Sequence, residues 1–191
     1  MCYFRATVAP PAPPDDAQPG IQTLAQGKYL HLLSENGWEY VVRPHSTGVV
    51  VIVALTPEGR LVLVEQPRVA VHSQVVELPA GLVGDTAAAR GEPLAAAAHR
   101  ELLEETGWEA ERMVELAAGP IAVGIGSEIV TFFHAQGLRR AGPGGGDDTE
   151  QIVVHEVALP ELPGWLADKR RGGALVDPKL FAGLYLISGG P

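Results

Sequence analysis

Apolar and polar residues follow one another in short runs along much of the chain, a pattern that indicates β-strands. The run GVVVIVALT (48–56) is almost wholly apolar, whereas RLVLVEQ (60–66) alternates. Pro57-Glu58-Gly59 lies between them and has the residues of a turn. The two runs are therefore predicted to be strands of a sheet.

The N-terminal part divides into a polar arm and a hairpin. Residues 9–20 include five prolines and two aspartates, a composition that cannot bury enough apolar surface to fold by itself. Residues 1–20 are therefore predicted to be a flexible arm. Residues 21–45 contain two β-rich runs joined by SENG, and Asn36-Gly37 is a strong signal for a hairpin turn. The main domain is expected to occupy residues 46–191.

One helix is well marked in the middle of the chain. The strand QVVELP (74–79) ends at a proline, and the Gly- and Ala-rich stretch 80–91 is predicted to be a loop. Pro93 suits the first position of a helix, and Gly107 suits a left-handed stop. Beyond the helix, the pattern predicts strands at 113–118, 128–135 and 151–159, a mobile surface loop at 138–150, and helical turns at 160–171 and 178–188. This order predicts a mixed α+β or α/β/α layer fold.

Charge and composition exclude several classes of protein. The 191 residues are 46% apolar and carry a formal net charge of −9, which argues against nucleic-acid binding through a basic face. Cys2 is the only cysteine, so an internal disulfide is excluded. No apolar run reaches the roughly 18 residues of a membrane span, and the first residues lack the pattern of a secretion signal. We therefore expect a cytoplasmic protein with neither nucleic acid nor membrane as a partner.

The stretch RELLEETGW (100–108) places three glutamates on one face of the predicted helix. Glu101, Glu104 and Glu105 stand at positions i, i+3 and i+4, about 5 to 6 Å apart at Cβ. Like charges at this spacing destabilise a helix, and acids in a last turn also oppose the helix dipole. Arg100 can offset one charge through Glu104, its i+4 neighbour, which leaves two carboxylates unmatched.

Two explanations fit this crowding of acids. A solvated helix face rich in glutamate is common and needs no function. A divalent cation such as Mg²⁺ or Mn²⁺ would instead resolve the repulsion, because these ions prefer oxygen ligands and keep positions for water or phosphate oxygens. Two local rules are broken at one place beside a glycine stop, which favours the cation.

The helix and the glutamate before it resemble the Nudix box. The usual form of the box is G-x5-E-x7-R-E-U-x-E-E-x-G-U, where U is apolar, and the match holds from Glu92 to Trp108. The front departs from the form, because ten residues instead of five separate Gly81 from Glu92. Without a gap, Thr86 takes the glycine position. We prefer an insertion, because ELPAG (77–81) itself resembles the strand end before the box in ADP-ribose pyrophosphatases.

The resemblance implies a fold, a reaction and a set of site residues. The fold is the Nudix α/β/α sandwich with a mixed sheet, preceded here by the N-terminal β-hairpin. The reaction is hydrolysis of a nucleoside diphosphate linked to another moiety, which from ADP-ribose gives AMP and ribose 5-phosphate. The implied ligands of Mg²⁺ or Mn²⁺ are Glu101, Glu104, Glu105 and the backbone carbonyl of Ala80, and Arg100 joins Glu104 in the catalytic group. Similar enzymes exchange the hairpin between subunits, so a homodimer is expected.

The segment VGIGSE (123–128) supplies further candidates. It lies where ADP-ribose pyrophosphatases have a segment of the form S-P-G-x-x-x-E, and Gly124 and Glu128 match. Val123 stands where that group commonly has proline, which weakens the assignment of the substrate. The resemblance makes Glu128 a candidate base toward the attacking water, alongside Glu104. An ordinary charge at a strand edge is the alternative for Glu128.

Arg68, Glu77 and two aromatic residues complete the candidates. Arg68 matches the family position that contacts the phosphates of the nucleotide, which suits an arginine fork, and an exposed arginine with no role is the alternative. Glu77 serves the site or merely ends its strand. Trp38 and Tyr40 can pack on the nucleotide base, as an aromatic residue does in similar enzymes, or fill a face of the sheet.

Three functions compete on this basis. The leading hypothesis is Mg²⁺-dependent hydrolysis of the pyrophosphate bond of ADP-ribose or a related nucleoside diphosphate sugar. The second is the same hydrolysis of another substrate, such as GDP-mannose, a dinucleoside polyphosphate or coenzyme A, and the valine at 123 motivates it. The third is a binding module that has lost catalysis, and the retention of all three helix glutamates counts against it.

Overall fold

Strand β4 (Gly48–Ala54) forms the centre of the fold, and six of its seven residues are buried. Alternate side chains of this strand enter two apolar clusters. One cluster lies under helix α1 (Leu94–Thr106), and the other lies under α2 (Leu162–Arg171) and α3 (Pro178–Ile187). A strand covered on both faces needs an unbroken apolar run, which the sequence GVVVIVA provides.

The computed structural model describes residues 20–146 and 150–189. In chain order its strands are β1 (Ile21–Gln26), β2 (His31–Glu35), β3 (Trp38–Val42), β4, β5 (Arg60–Arg68), β6 (Ser73–Glu77), β7 (Ala80–Val83), β8 (Trp108–Glu109), β9 (Arg112–Pro120), β10 (Ile129–Gln136), β11 (Arg139–Arg140), β12 (Val153–Ala158) and β13 (Leu175–Val176). None of the helices within these ranges is both long enough and apolar enough to cross a membrane.

The strands pair into four sheets within the described residues. The N-terminal sheet has the antiparallel order β1-β2-β3, and the short strands β8 and β11 pair with each other. The central sheet has the order β7-β4-β10-β9, in which β10 runs parallel to β4. The fourth sheet has the order β12-β5-β6-β13, in which β13 runs parallel to β6. Mixed sheets with helices on both sides confirm the predicted fold class.

The N-terminal segment contains one strand more than the predicted hairpin. Strands β2 and β3 meet at Asn36-Gly37, where φ values of 50° and 83° give the left-handed turn that this pair favours. Strand β1 then adds to the outer edge of β2. The predicted flexible arm lies outside the described residues, apart from Gly20.

The predicted loop at 80–91 is wrong in its first third. Residues Ala80–Val83 form β7, which pairs antiparallel with β4, from Val51↔Ala80 to Gly48↔Val83, and so has a partner 29 to 35 positions earlier in the chain. The loop itself is 84–92, which we call the insertion loop. Pro93 precedes the helix with an extended backbone and does not occupy its first turn, so α1 begins one residue later than predicted.

The C-terminal end of α1 is closed by a segment that the sequence predicted to be a mobile surface loop. Gly107 is left-handed at φ 73°, as predicted, and a side chain there would also collide with the backbone at Gly142. The backbone N–H groups of Gly145 and Gly146 donate to the carbonyls of Glu105 and Glu104. These bonds satisfy carbonyl groups that a helix end otherwise leaves open.

The register of the central sheet places two loops at the same end. Gly48 pairs with Val83 of β7, and its neighbour Val49 pairs with Val130 of β10. The insertion loop therefore leaves the sheet at the end where β10 enters it from Glu128. Residues on these two loops can reach one region in front of the start of β4.

Gly183 lies where α3 packs on the core, and we expect its replacement to destabilise the protein. A Cβ atom at Gly183 would lie 2.6 Å from Cδ1 of Leu78 and 2.8 Å from Cγ2 of Val53, closer than packed atoms approach. Overpacking of this kind costs about 1 to 3 kcal/mol. Gly183→Ala should therefore lower the urea midpoint.

Gly164→Ala in α2 is the matched control, because a Cβ atom there meets nothing within 4 Å. Helix propensity alone should raise its stability by up to about 1 kcal/mol. Equal changes in the two variants would contradict the packing described for α3.

Candidate active site

Arg100 is the centre of the acidic group on α1. Its guanidinium donates to both carboxylate oxygens of Glu92, at 2.8 and 3.3 Å, and to Glu101 at 2.7 Å and Glu104 at 3.1 Å. It also donates to the carbonyl of Leu82 in β7, at 3.1 Å. The arginine therefore offsets three glutamates instead of the one expected from its i+4 spacing, and it joins the helix to the insertion loop and the sheet.

Glu101 lies against the backbone of Gly81. A Cβ atom at position 81 would fall 1.9 Å from the carboxyl carbon of Glu101, so only glycine leaves room for this side chain. Burial, with smaller contributions from Glu104 and Asp85, raises the pKa of Glu101 to about 7 against the opposing effect of Arg100. The carboxylate is thus packed into a place that disfavours its charge.

Glu105 is the most deeply buried of the three helix glutamates, with 3% of its surface exposed. The backbone N–H of Ala80 donates to its Oε2 at 3.0 Å. Burial raises the pKa of Glu105 well above its usual range, although this hydrogen bond and the charge of Arg68 oppose the shift. The contact is made by the N–H of Ala80 and not by its carbonyl, which is the group expected to be a ligand.

Arg68 and Glu77 form a bidentate pair beside this group. The Nε and Nη2 atoms of Arg68 donate to the two carboxylate oxygens of Glu77, at 2.6 and 2.7 Å. Glu77 is 4% exposed, whereas the Arg68 side chain is 44% exposed. The glutamate thus holds the inner edge of the guanidinium and leaves its outer part open to solvent.

An acid cleft opens in front of α1, lined by Glu92, Arg100, Glu101, Glu104 and the two further acids Asp85 and Glu150. Its volume is about 480 Å³. Sequence reasoning missed Asp85 and Glu150, because they fall in the insertion loop and at the end of the Gly-rich segment, where no periodic pattern marks them. With five acids and one arginine, the lining is strongly anionic.

Glu128 lies in a different group, on the loop that leads into β10. Its Oε1 accepts a hydrogen bond from Nε of Arg43 at 2.8 Å. Gly124, from the same loop, lies in an open hollow of about 290 Å³ with Trp38, Tyr40 and Val123. The structure therefore does not bring Glu128 and Gly124 into the hydrogen-bonded group around Arg100.

The two aromatic residues of β3 differ in their surroundings. Trp38 is 73% exposed, so it does not fill a face of the sheet within this chain. Tyr40 is half-buried, and its hydroxyl donates to Glu35 at 3.4 Å. Both side chains border the hollow and are accessible from solvent.

Comparison with known families identifies the architecture around this cleft. The model of the NUDIX domain matches residues 44–172, which is more than half of the chain and includes the acid cleft, the Arg68–Glu77 pair and Glu128. The chain belongs to the NUDIX domain family. The matched residues contain strands β4 to β12 and helices α1 and α2, which are thus parts of a NUDIX domain.

Three curated relatives resemble part of this NUDIX chain. It is 35% identical over 124 residues to the methanol dehydrogenase activator of Bacillus methanolicus, 36% over 120 residues to the ADP-ribose pyrophosphatase of Bacillus subtilis, and 40% over 95 residues to the ADP-ribose pyrophosphatase of Mycobacterium tuberculosis. The matches cover 64%, 60% and 50% of this chain and 64%, 60% and 44% of those relatives. The chain thus spans less than two thirds of each relative.

A solved structure described as an ADP compounds hydrolase has the same fold. The TM-score is 0.68, and the alignment covers 88% of this chain and 89% of the other, at 23% sequence identity. The coverage exceeds the NUDIX domain match and so extends to elements outside residues 44–172.

The donors of this NUDIX site suit a hard divalent cation, although the side chains are not already arranged around one. Within residues 20–146 and 150–189, no three acidic, histidine or cysteine side chains converge as a formed metal site. Carboxylates are the ligands that Mg²⁺ and Mn²⁺ prefer. Two of the three helix glutamates have a raised pKa because they are buried and crowded, and cation binding would relieve that cost.

The crowding of Glu101 predicts a specific dependence of stability on pH. Its pKa is about 7 in the folded protein and 4.5 ordinarily, so between these values the folded state holds a proton that the unfolded chain has lost. Stability should therefore fall as pH rises through this window. In EDTA, the unfolding free energy of the wild type should decline relative to Glu101→Gln from about pH 4.5 to 7, as measured by urea unfolding.

Glu101→Gln is a matched reference for the wild type, because glutamine fills nearly the same volume as glutamate and cannot titrate. A difference between the two proteins that stays constant across this pH range would show that Glu101 ionises normally.

Proposed function

We propose that this NUDIX chain hydrolyses the pyrophosphate bond of ADP-ribose or a related nucleoside diphosphate sugar, giving a nucleoside monophosphate and a sugar phosphate. The observation that carries the proposal is the acid cleft, in which Arg100 fixes Glu92, Glu101 and Glu104 while Glu105 is buried beside them. Two of the similar proteins are ADP-ribose pyrophosphatases, which supports the substrate class.

The residues that would hold Mg²⁺, or Mn²⁺ in its place, are Glu101, Glu104, Glu105 and the carbonyl of Ala80. A cation bound there would neutralise charge on the pyrophosphate and lower the pKa of a coordinated water. Arg100 contributes by fixing the carboxylates of Glu101 and Glu104 before substrate arrives.

Arg68 is proposed to bind a phosphate oxygen of the nucleotide. Its guanidinium is held on one edge by Glu77, so the exposed N–H groups keep a fixed direction. Both oxygens of Glu77 are occupied by this contact, and Glu77 therefore serves substrate binding through Arg68. A rigid fork suits the geometry of phosphate better than a flexible ammonium group.

Removal of a proton from the attacking water is assigned to Glu104 or Glu128. Glu104 is on the acid cleft with 54% of its side chain exposed, so its carboxylate can reach a water in the cleft. Glu128 directly precedes β10, at the end of the sheet where the insertion loop leaves it. Hydrolysis of ADP-ribose consumes one water, breaks one P–O bond of the bridging oxygen and gives AMP and ribose 5-phosphate.

The hollow beside β3 is proposed to receive the nucleotide base. Trp38 and Tyr40 border it together with Gly124, and flat aromatic side chains stack well on a purine. The exposed apolar residues Trp38, Val123 and Ile125 also form a surface that suits a second copy of the chain, so we propose a homodimer.

A substrate panel tests the proposal directly. We expect ADP-ribose and related nucleoside diphosphate sugars to be hydrolysed with Mg²⁺ or Mn²⁺, with no turnover in EDTA. GDP-mannose, a dinucleoside polyphosphate and coenzyme A complete the panel, and chromatography identifies the products. Preference for GDP-mannose would change the substrate within the proposed class, whereas preference for a dinucleoside polyphosphate or coenzyme A would replace that class; either result keeps the hydrolase. Tight nucleotide binding in calorimetry without product from any substrate would support a binding module and contradict the proposal.

The cation ligands are tested by Glu104→Gln and Glu105→Gln. Each change removes one charge with little change of volume, and we expect kcat to fall by about 100-fold or more because charge stabilisation in the transition state is lost. Glu105→Gln should not destabilise the metal-free protein, because burial already disfavours its charge. Glu161→Gln, at an exposed position before α2, is the control. Wild-type turnover by the double variant would contradict the ligand assignment.

A further inference from the structure

Arg43 and Glu128 form an ion pair that joins the N-terminal sheet to the loop before β10. Nε of Arg43 donates to Oε1 of Glu128 at 2.8 Å, and their side chains are 28% and 32% exposed. Among the described residues, Oε2 of Glu128 has no hydrogen-bond partner. One oxygen of the carboxylate is therefore fixed while the other remains open to a ligand or a water.

The loop that carries Glu128 is attached to β3 at Val41. The backbone N–H of Val41 donates to the carbonyl of Ile125 at 2.8 Å, and the N–H of Ser127 donates to the carbonyl of Val41 at 3.2 Å. Arg43 follows β3 by one residue, so the same stretch of backbone fixes both the loop and its glutamate. The position of Glu128 thus depends on the N-terminal sheet.

The connection from Arg43 to the central sheet is short and well bonded. The N–H of Ser46 donates to the carbonyl of Arg43 at 3.3 Å, and the N–H of Thr47 donates to the carbonyl of Val83 at 2.9 Å. Val83 is the last residue of β7, immediately before the insertion loop. Arg43 is therefore tied to the edge of the sheet at which the insertion loop and the Glu128 loop both lie.

We propose that Arg43 is a positioning residue that fixes the Glu128 carboxylate for its part in hydrolysis. The inference rests on the proposed function, because it requires Glu128 to act on the attacking water. The N-terminal sheet, through Arg43, would then determine how the carboxylate of Glu128 is oriented. A purely structural ion pair would pin the loop equally well whether or not residue 128 can accept a proton.

A double-mutant cycle separates these two roles. Arg43→Met, Arg43→Lys, Glu128→Gln and the Met–Gln double variant are compared with the wild type, using ADP-ribose and saturating Mg²⁺. Loss of a general base lowers kcat by about 100-fold, and misdirection of one costs about 10-fold or more. We therefore expect kcat to fall about 10-fold in Arg43→Met, with a smaller change in KM.

The coupling is the decisive result. In the Glu128→Gln background, Arg43→Met should change kcat by less than about 2-fold, because there is no base left to position. Arg43→Lys should recover part of the loss, since it keeps the charge but not the fork. Arg139→Met is the matched control, because Arg139 also pairs with a glutamate, Glu109, yet lies on β11 outside the candidate site.

Several outcomes would overturn the inference, and they differ from failure of the proposed function. An equal fold-loss of kcat for Arg43→Met in both backgrounds shows that Arg43 acts independently of Glu128. Wild-type kcat in Arg43→Met shows that the ion pair does not contribute to catalysis. Wild-type kcat in Glu128→Gln shows that Glu128 is not the base, so that Arg43 has no base to position. If Arg43→Met fails to fold by circular dichroism, Arg43→Lys carries the same cycle. A folded wild type that hydrolyses no substrate of the panel overturns the proposed function and this inference together.

Discussion

The candidate site depends on the hydrogen bonds and ion pairs that the guanidinium of Arg100 makes. It meets Glu92, Glu101 and Glu104 and also the carbonyl of Leu82, so one side chain joins a helix, a loop and a strand. Arginine suits this place because its charge is permanent and its planar group can donate in several directions at once. Removing it would leave half-buried carboxylates facing one another without a counter-charge, which is far costlier than losing an exposed ion pair.

The helix that carries these acids is stabilised from its C-terminal end by groups far along the chain. The carbonyls of Glu104 and Glu105 accept N–H groups from a Gly-rich segment, and Arg140 donates to the carbonyl of Thr106 at 3.0 Å while lying over the ring of Trp108. A cation and a row of N–H groups at a helix C-terminus are what the helix dipole favours. The repulsion introduced by the glutamates is therefore offset by contacts that need glycine at two positions: a Cβ atom at Gly144 would lie 2.3 Å from the carbonyl carbon of Thr106, and one at Gly146 would lie 2.2 Å from Oε2 of Glu150.

The features that could be predicted from sequence are those fixed by neighbouring residues. The apolar run of β4, the turn at Asn36-Gly37 and the stop at Gly107 each follow from local chemistry, and so does the spacing of the glutamates on α1. Strand β7 was missed because its four residues are rich in alanine and glycine and become a strand only through pairing with β4. The partner of Glu128 could not be found either, because no short-range pattern relates it to Arg43.

The contacts of the site differ widely in the number of residues that separate the two partners along the chain. The bonds of Arg100 to Glu104 and Glu92 span 4 and 8 residues, and the bond from Ala80 to Glu105 spans 25, whereas Arg43 and Glu128 are 85 residues apart. Short loops cost less entropy to close, so the acidic centre can assemble early in folding and the long-range pair closes late. The two groups are thus separable in the chain: substitutions near α1 would change the acid cleft itself, whereas substitutions in the N-terminal sheet would change the surroundings of Glu128 and leave the acid cleft as it is.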